Sequence, residues 1–507
     1  MEDHTPIEQQ LDQIQREDKN RPCKEILVLG AGMAGLAAGY ELAQLGHQVK
    51  IIEASGRLGG RVWTHRFENG QYGELGAMRI PGSHDYTRHY VSQLKLRLRS
   101  FINFNPKTYR DFEGTLCRAE DAPKEIGSLF NLSGDDRKAI QSDDCKAIQS
   151  SDGLDAIYLR IIKIVLSNLE DSEKSQLFGH GPFSDRLTRL DRQSLLHTLR
   201  QYAETADAVR LMGKATVLDD YWQRSTLLFI REEIDKAFTD LEEIEGGMGC
   251  LPEKLADASL PDGTTLRDHI AFSQEVYSIA QGSEGITVAF KENGKLDSVT
   301  SPYVLCTIPF SVLRRIKLQG LCGSKRIQDA IQGLGYQSAT KVLVNCKQRF
   351  WESKEEIYGG ASLSDSIARM TFYPSDNAEK KDQSISEKPG VLLGSYTWGA
   401  TARRLGVLSQ EARGQLVIEQ IKRFHPDIKD YLDLDQPYVS MAWDQNRYAA
   451  GAFSSSYPQD LQMFFPGASQ PAGRLFFAGE HLSPYPTWIQ GGLWSALQAV
   501  MQIVVAC

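Results

Sequence analysis

No stretch of about 18 apolar residues occurs in this 507-residue chain, so no membrane-spanning helix is expected. Basic residues are the minority. The 57 Lys and Arg against 65 Asp and Glu leave a formal net charge of −8, which argues against nucleic acid or an anionic membrane surface as a partner. The eight cysteines (Cys23, Cys117, Cys145, Cys250, Cys306, Cys322, Cys346 and Cys507) never form a Cys-x-x-Cys pair, and the ten histidines do not cluster with them. No metal is therefore expected, and reduced thiols are the natural reading. The amino-terminal MEDHTPIEQQLDQIQREDKNRPCKE has no basic region followed by an apolar core. It predicts no secretory leader, which points to the cytoplasm.

What is present is ordinary in bulk: 41% hydrophobic and 24% charged residues suit a globular protein, with about two to four domains. Ile7, Leu11 and Ile14 stand at helical spacing, so either a short docked amphipathic helix or a frayed tail fits the start of the chain. Glu25 to Leu29 reads as a strand, a helix follows from about Ala34 to Leu45, Gly46 ends it, and Gln48 to Ile52 is a second strand. This β-α-β unit predicts a parallel sheet. From about Asp121 to Glu245 the pattern turns helical, as in Leu154, Ile157, Ile161, Val165 and Leu169. A short duplication there, KAIQS at 138–142 and 146–150, carries no chemistry. Strand signals then return: Ile286–Phe290 and Leu296–Thr300 about an Asn293-Gly294 turn, Pro302–Ile308, Lys341–Asn345, Met370–Tyr373, Val391–Thr397 and Arg474–Ala478. A last helix runs from about Trp488 to Val505.

Gly30-x-Gly32-x-x-Gly35 follows the first strand and opens the first helix. The first glycine permits the tight turn, the second lets backbone approach a pyrophosphate, and the third lets helix and strand pack closely. Glu53 ends the second strand, about 20 residues on, where a carboxylate accepts from ribose hydroxyls. A second glycine-rich turn with two arginines, Arg57-Leu58-Gly59-Gly60-Arg61, comes directly after it. A second phosphate-binding turn suits a large dinucleotide lying across the domain.

GAGMAGLAAGYELAQLGHQVKIIEASGRLGGR resembles the flavin-containing amine oxidase family, and further matches follow in family order. They are Gly246-Gly247-Met248 with Leu251-Pro252, Tyr303–Pro309, Phe477-Ala478-Gly479-Glu480-His481 and Trp488-Ile489-Gln490-Gly491-Gly492. The resemblance implies a mixed α/β fold: a Rossmann-type FAD-binding domain (residues 24–78, 245–333 and 464–507), a mixed-sheet substrate domain (79–122 and 334–463) and a helical insertion (123–244). It implies non-covalent FAD held at Gly30, Gly32, Ala34, Gly35, Glu53, Ala54, Gly60, Arg61, Ala77, Met78, Arg79, Val276, Glu480, Trp488 and Ile489. In it Val276 meets the adenine and Glu480 the ribityl chain. A homodimer is usual in the family.

Gly76-Ala77-Met78-Arg79-Ile80-Pro81 is similar to the G-x-M-R-[IL]-P pattern of L-amino-acid oxidases. There Arg79 is the carboxylate anchor, and a guanidinium fork suits a buried carboxylate. By the same resemblance Tyr373 adds a hydroxyl bond to that carboxylate, with Phe372 as the other residue that could align. Trp488 walls the substrate amine, with Thr487 before it where the family often has glycine or alanine. Lys341 holds a water against the flavin, and Trp443, Tyr448 and Gly451-Ala452-Phe453 lie near the pocket. The implied reaction takes an L-amino acid and O₂ to a 2-oxo acid, ammonia and hydrogen peroxide, with hydride passing from the α-carbon to flavin N5. A flavin amino-acid monooxygenase or dehydrogenase, an amine or polyamine oxidase, a nicotinamide-dependent dehydrogenase and a non-catalytic FAD-binding protein stay open. The preferred side chain is not legible: an acid deep in the pocket would favour lysine or arginine, and an apolar pocket phenylalanine, leucine or methionine.

Overall fold

The computed structural model describes residues 6–142, 152–179, 182–320 and 325–506. The second KAIQS copy and Cys145, Cys322 and Cys507 lie outside the described residues.

The first strand, Glu25–Leu29, is buried at every position but its first, as a central parallel strand covered on both faces must be. It pairs in parallel with Gln48–Ile52 on one side and with Tyr303–Cys306 on the other. Leu475–Phe477 and Ile270–Ala271 complete a five-stranded parallel sheet from its two edges. Strands distant in sequence thus lie side by side, all with their carboxyl ends toward one edge.

The fingerprint helix, Met33–Gln44, is rich in small residues and buried almost all round. A Cβ on Gly35 would stand 1.9 Å from Gly30 O, and one on Gly39 2.8 Å from Ile51 Cδ1, so only glycine allows helix and sheet to touch there. The carboxy-terminal helix, Ile489–Val505, packs against the fingerprint helix. Its last carbonyls are capped by Lys24, whose Nζ donates to Ile503 O, Val504 O and Ala506 O at 2.7 Å each. The start of the chain docks here too: helix Ile7–Asp18 buries Ile7 and Ile14 against this layer, and Tyr86 OH donates to Gln10 Oε1 at 2.6 Å. The docked-helix alternative is the one realised.

A four-stranded sheet places Gln274–Gln281 between Ile286–Glu292 and Lys317–Gln319, with Lys295–Ser301 at the far edge. The Asn293-Gly294 turn closes the expected hairpin, with both residues at positive φ. Val276 therefore sits on an eight-residue inner strand, longer than its sequence suggests.

The largest sheet has seven strands in the order Tyr438–Ala442, Ala339–Cys346, Gly390–Trp398, Met370–Phe372, Ala361–Ser364, Tyr109–Phe112, Thr115–Arg118. Between the third-last and second-last of these, Ala361–Ser364 and Tyr109–Phe112, the chain jumps about 250 positions (Leu363 pairs with Arg110), a joining that no local pattern announces. The helices between residues 122 and 235 wrap an apolar cluster in which Leu154, Ile157, Ile161, Val165 and Leu169 are all buried. The last of them, Thr226–Asp235, stops short of the predicted end, because Glu242–Ile244 is a strand paired with Leu98–Ser100. Among the described residues no helix is long and apolar enough to cross a membrane.

Candidate active site

One cavity of about 800 Å³ runs from the carboxyl edge of the parallel sheet to the seven-stranded sheet and the helices above it. Of the residues expected to hold a cofactor, Gly30, Gly32, Ala34, Glu53, Ala54, Gly60, Arg61, Ala77, Met78, Arg79, Val276, Glu480, Trp488 and Ile489 all line it. Gly35 does not; it lies behind the wall, pressed on Gly30.

The outer end is built of backbone. Gly30 has φ 105°, and the two glycine turns meet in a bridge between Gly32 and Gly59, with Gly59 N donating to Ala31 O at 2.9 Å. A Cβ on Gly60 would reach 3.3 Å from Gly32 Cα. Glu53 is fixed from behind: Oε2 accepts from Ala31 N at 2.8 Å, and Oε1 accepts from Ser55 N at 2.8 Å and Ser55 Oγ at 2.7 Å. The amino termini of the fingerprint helix and the carboxy-terminal helix lie side by side, since a Cβ on Gly492 would come 3.9 Å from Ala34 N. Both present their positive ends to the cavity. This cradle of bare backbone, one carboxylate and two helix amino termini fits a dinucleotide with two phosphates.

The arginines of the second turn are engaged by the protein itself. Arg57 lies over the Trp63 ring at 4.2 Å and donates to Leu58 O at 3.0 Å, to Val62 O at 3.3 Å and to Gly60 O, which makes it a brace of its own turn. Arg61 Nη1 donates to Glu480 Oε1 at 2.6 Å. Glu480 also accepts from Ser454 Oγ at 2.7 Å and from Thr487 N at 3.0 Å. Burial alone would raise the Glu480 carboxyl, but Arg61, His481 and these donors hold it below the usual range. Its bond to Thr487 N pins a β-branched residue at φ 78°, a conformation that glycine would adopt freely. Trp488 follows at once, so this strained residue sets where the indole stands.

The inner end is built of side chains from distant segments. Lys341 is on an interior strand of the seven-stranded sheet and only 2% exposed. Its Nζ donates to Gly76 O at 2.6 Å and contacts Met78 Sδ at 3.3 Å, beneath the Tyr396 ring at 4.5 Å. Burial pushes this amine well below the usual lysine range; Glu74 opposes the shift and Arg79 adds to it. Arg79 Nη1 donates to Asn103 Oδ1 at 2.8 Å, and the guanidinium faces the rings of Phe238 at 5.3 Å, Phe101 at 5.8 Å and Trp488 at 6.0 Å. It forms no ion pair among the described residues. Burial lowers its pKa, while Tyr396, Glu232 and Tyr221 act the other way.

Tyr373 is not part of this site. Its hydroxyl bonds Ser362 Oγ at 2.9 Å and His425 Nε2 at 2.7 Å, on the far side of the sheet from the cavity. Successive strand residues point to opposite faces: Met370 and Phe372 join the cluster on the cavity side, and Tyr373 points away. Phe372 packs against Phe101 and does not reach the cavity wall either. A tyrosine of this sheet that does is Tyr396, directly opposite Lys341 on the neighbouring strand. Tyr396-Thr397-Trp398 carries a readable signal, an alternation that puts both aromatics on one face, and both line the cavity. Trp443, Tyr448, Ala452 and Phe453 line it as well.

Two further wall residues escape any motif. Tyr221 is stacked against Phe453 at 6.3 Å. Glu232, on helix Thr226–Asp235, reaches the cavity on the face shared by Leu228 and Phe229. Burial pushes the Glu232 carboxyl up to about 8; Glu233 and Asp235 add to this, and Arg79 and the Trp488 indole oppose it.

The flavin containing amine oxidoreductase family matches residues 33–504. The flavin-dependent L-tryptophan oxidase RebO of Lentzea aerocolonigenes is 32% identical over 496 residues, 96% of this chain and 98% of that protein. The L-amino-acid oxidase of Pseudechis australis is 28% identical over 491 residues, 95% and 87% of the two chains. Among solved structures, putrescine oxidase bound to putrescine superposes with a TM-score of 0.72 at 19% identity, covering 96% of this chain and all of that one. Cyclohexylamine oxidase from Brevibacterium oxydans IH-35A gives 0.70 at 18%, covering 95% and 99%.

Proposed function

The chain belongs to the flavin-containing amine oxidoreductase family, with FAD as cofactor, and from that premise we propose that it is an L-amino-acid oxidase, forming a 2-oxo acid, ammonia and hydrogen peroxide. One observation carries the reading: Arg79 offers the inner cavity a half-buried guanidinium that lies among aromatic rings and has no ion-pair partner among the described residues. A substrate α-carboxylate supplies the missing charge. A simple amine or polyamine would instead bring a second cation. At an effective dielectric near 20, two positive charges about 5 Å apart repel by roughly 3 kcal/mol, more than a hundredfold in binding. The L-tryptophan and L-amino-acid oxidases among the relatives support this reading.

Bound in the cavity, FAD supplies the two-electron acceptor and the passage of those electrons to O₂. The chain's own residues orient and protect. Arg79 fixes the carboxylate, and the Tyr396 hydroxyl beside it adds a second donor. Trp488, Phe238 and Tyr221 exclude water, which strengthens each polar contact. The substrate amine has to enter the reaction neutral, because an ammonium has no lone pair to form the imine. Lys341, its amine already pushed down by burial, is the cavity group able to hold a water or take up a proton near the reacting carbon.

The experiment is Arg79→Met assayed for peroxide and 2-oxo acid on a panel of L-amino acids and their decarboxylated amines. A drop of about three orders of magnitude in kcat/KM on amino acids is expected, with no loss on amines. An unchanged kcat/KM on amino acids would sink the anchor, and an amide product from the wild type would make the enzyme a monooxygenase.

A further inference from the structure

Four carboxylates line the cavity among the described residues: Glu53, Glu232, Glu275 and Glu480. Three of them are satisfied by the protein. Glu53 accepts from Ala31 and Ser55, Glu275 pairs with Arg447 at 2.6 Å, and Glu480 pairs with Arg61 at 2.6 Å. Glu232 forms no ion pair among the described residues and, half-buried, opens on the cavity from its helical wall. Its helix presents Leu228, Phe229 and Glu232 together to the cavity, so an apolar face is interrupted by one acid where a leucine would pack.

Glu232 is also placed away from the lysine. The charges acting on Lys341 are Glu74 and Arg79, whereas Glu232 acts on Arg79. The two come from different walls: Lys341 stands on the seven-stranded sheet against Gly76 and Met78, and Glu232 on helix Thr226–Asp235 beside Leu228 and Phe229. A base serving the α-amine would belong to the sheet wall with Lys341; Glu232 belongs to the helical wall, open to a side chain leaving the α-carbon once the carboxylate is on Arg79.

We infer that Glu232 is the residue that selects the substrate side chain, and that the preferred substrates are L-amino acids ending in a cation, a guanidinium or an ammonium. The inference rests on the L-amino-acid oxidase reading. It joins two complementary charges of the wall to two charges of one ligand: α-carboxylate on Arg79, side-chain cation on Glu232. Leu218, Tyr221 and Leu228 would cover the methylene stem between them. The empty carboxyl is pushed up to about 8 by burial. The titratable groups whose charges couple to it are Arg79, Glu233, Asp235, Tyr221 and Tyr158, and of these only Arg79 is a cation. A ligand cation would therefore return the carboxylate to its charged form.

The test compares L-arginine with L-citrulline, its neutral analogue of nearly equal shape, on the purified holoenzyme, with L-lysine, L-leucine and L-tryptophan alongside. The arginine-to-citrulline ratio of kcat/KM is expected to exceed 100 and to fall at least tenfold in Glu232→Gln. In the wild type the same ratio should rise about tenfold between pH 7 and 9 as the carboxyl ionises, because arginine keeps its charge and the α-ammonium titrates alike in both substrates. This second readout holds even if the variant fails to fold. A wild-type ratio near one, or a ratio that Glu232→Gln and pH both leave unchanged, overturns the inference, as does a preference for tryptophan or leucine. In each of those cases peroxide still forms from an L-amino acid, so the parent reading survives. Activity on amines alone would overturn both.

Discussion

The outer and inner ends of the cavity are made of different material. At the outer end the wall is backbone: two glycine turns, a carboxylate held by main-chain N–H groups, and two helix amino termini. At the inner end it is side chains, with Arg79, Glu232, Lys341, Tyr396 and Trp488 brought from five separate segments. Backbone recognition is compatible with any ligand carrying the same phosphates, and it is written in two short stretches, residues 30–61 and the start of helix Ile489–Val505. Side-chain recognition is what distinguishes one substrate from another, and it exists only once the chain is folded. The first end would serve any ligand with those phosphates, so this protein's selectivity has to be sought at the second.

Substitutions at the two ends should separate these roles. The largest effect is expected from Gly35→Val. Its Cβ would lie 1.9 Å from Gly30 O, so helix and strand have to part, at a cost above about 3 kcal/mol. The purified protein should lack the visible flavin bands and melt far below the wild type; retention of both would show the fingerprint to be less tightly built than described. Lys341→Met leaves the outer end intact. Flavin should stay bound while turnover falls by about a hundredfold, the order expected for loss of a proton-handling group. Turnover unchanged from pH 6 to 9 would remove Lys341 from the chemistry.

A matched pair sharpens the placement of the tyrosines. Tyr396→Phe should raise KM by about five- to tenfold, one hydrogen bond's worth. Tyr373→Phe should leave kinetics alone and cost about 1 kcal/mol of stability, because Ser362 and His425 lose their shared partner. If the kinetic effect follows Tyr373, the face assignment is wrong. The smallest effect is expected at Thr487→Gly, where relief of the left-handed backbone outweighs the added freedom of the unfolded chain. Stability should rise by less than about 1 kcal/mol, and a clear fall would mean that Glu480 holds Thr487 without strain.

Much of the scaffold was legible before folding. Glu25–Leu29 and Gln48–Ile52 have the expected ends because apolar runs bounded by glycine turns specify short buried strands. The spacing of Leu154 to Leu169 announced a helix packed on one face. The order of the seven-stranded sheet was not legible, since strands Tyr109–Phe112 and Ala361–Ser364 pair across a gap that no local pattern spans. Nor was the orientation of the Phe372-Tyr373 step. At a strand's end the alternation places a side chain on one of two faces, and only the neighbouring strands decide which face meets the cavity.

The sequence by itself determined the glycine turns and first helix of the dinucleotide cradle, because φ angles and a helix amino terminus are properties of consecutive residues; folding added the second helix terminus, from Ile489–Val505. The sequence also placed an arginine at position 79. Tertiary structure alone decided that Arg79 faces the cavity without an ion pair among the described residues, that Tyr396 and not Tyr373 lines that cavity with it, and that Glu232 joins them. Those are statements about which charges lie within a few ångströms of one another inside the protein. They depend on how a helix 150 residues further along the chain is packed, and Coulomb interactions are felt only at that distance and at that burial.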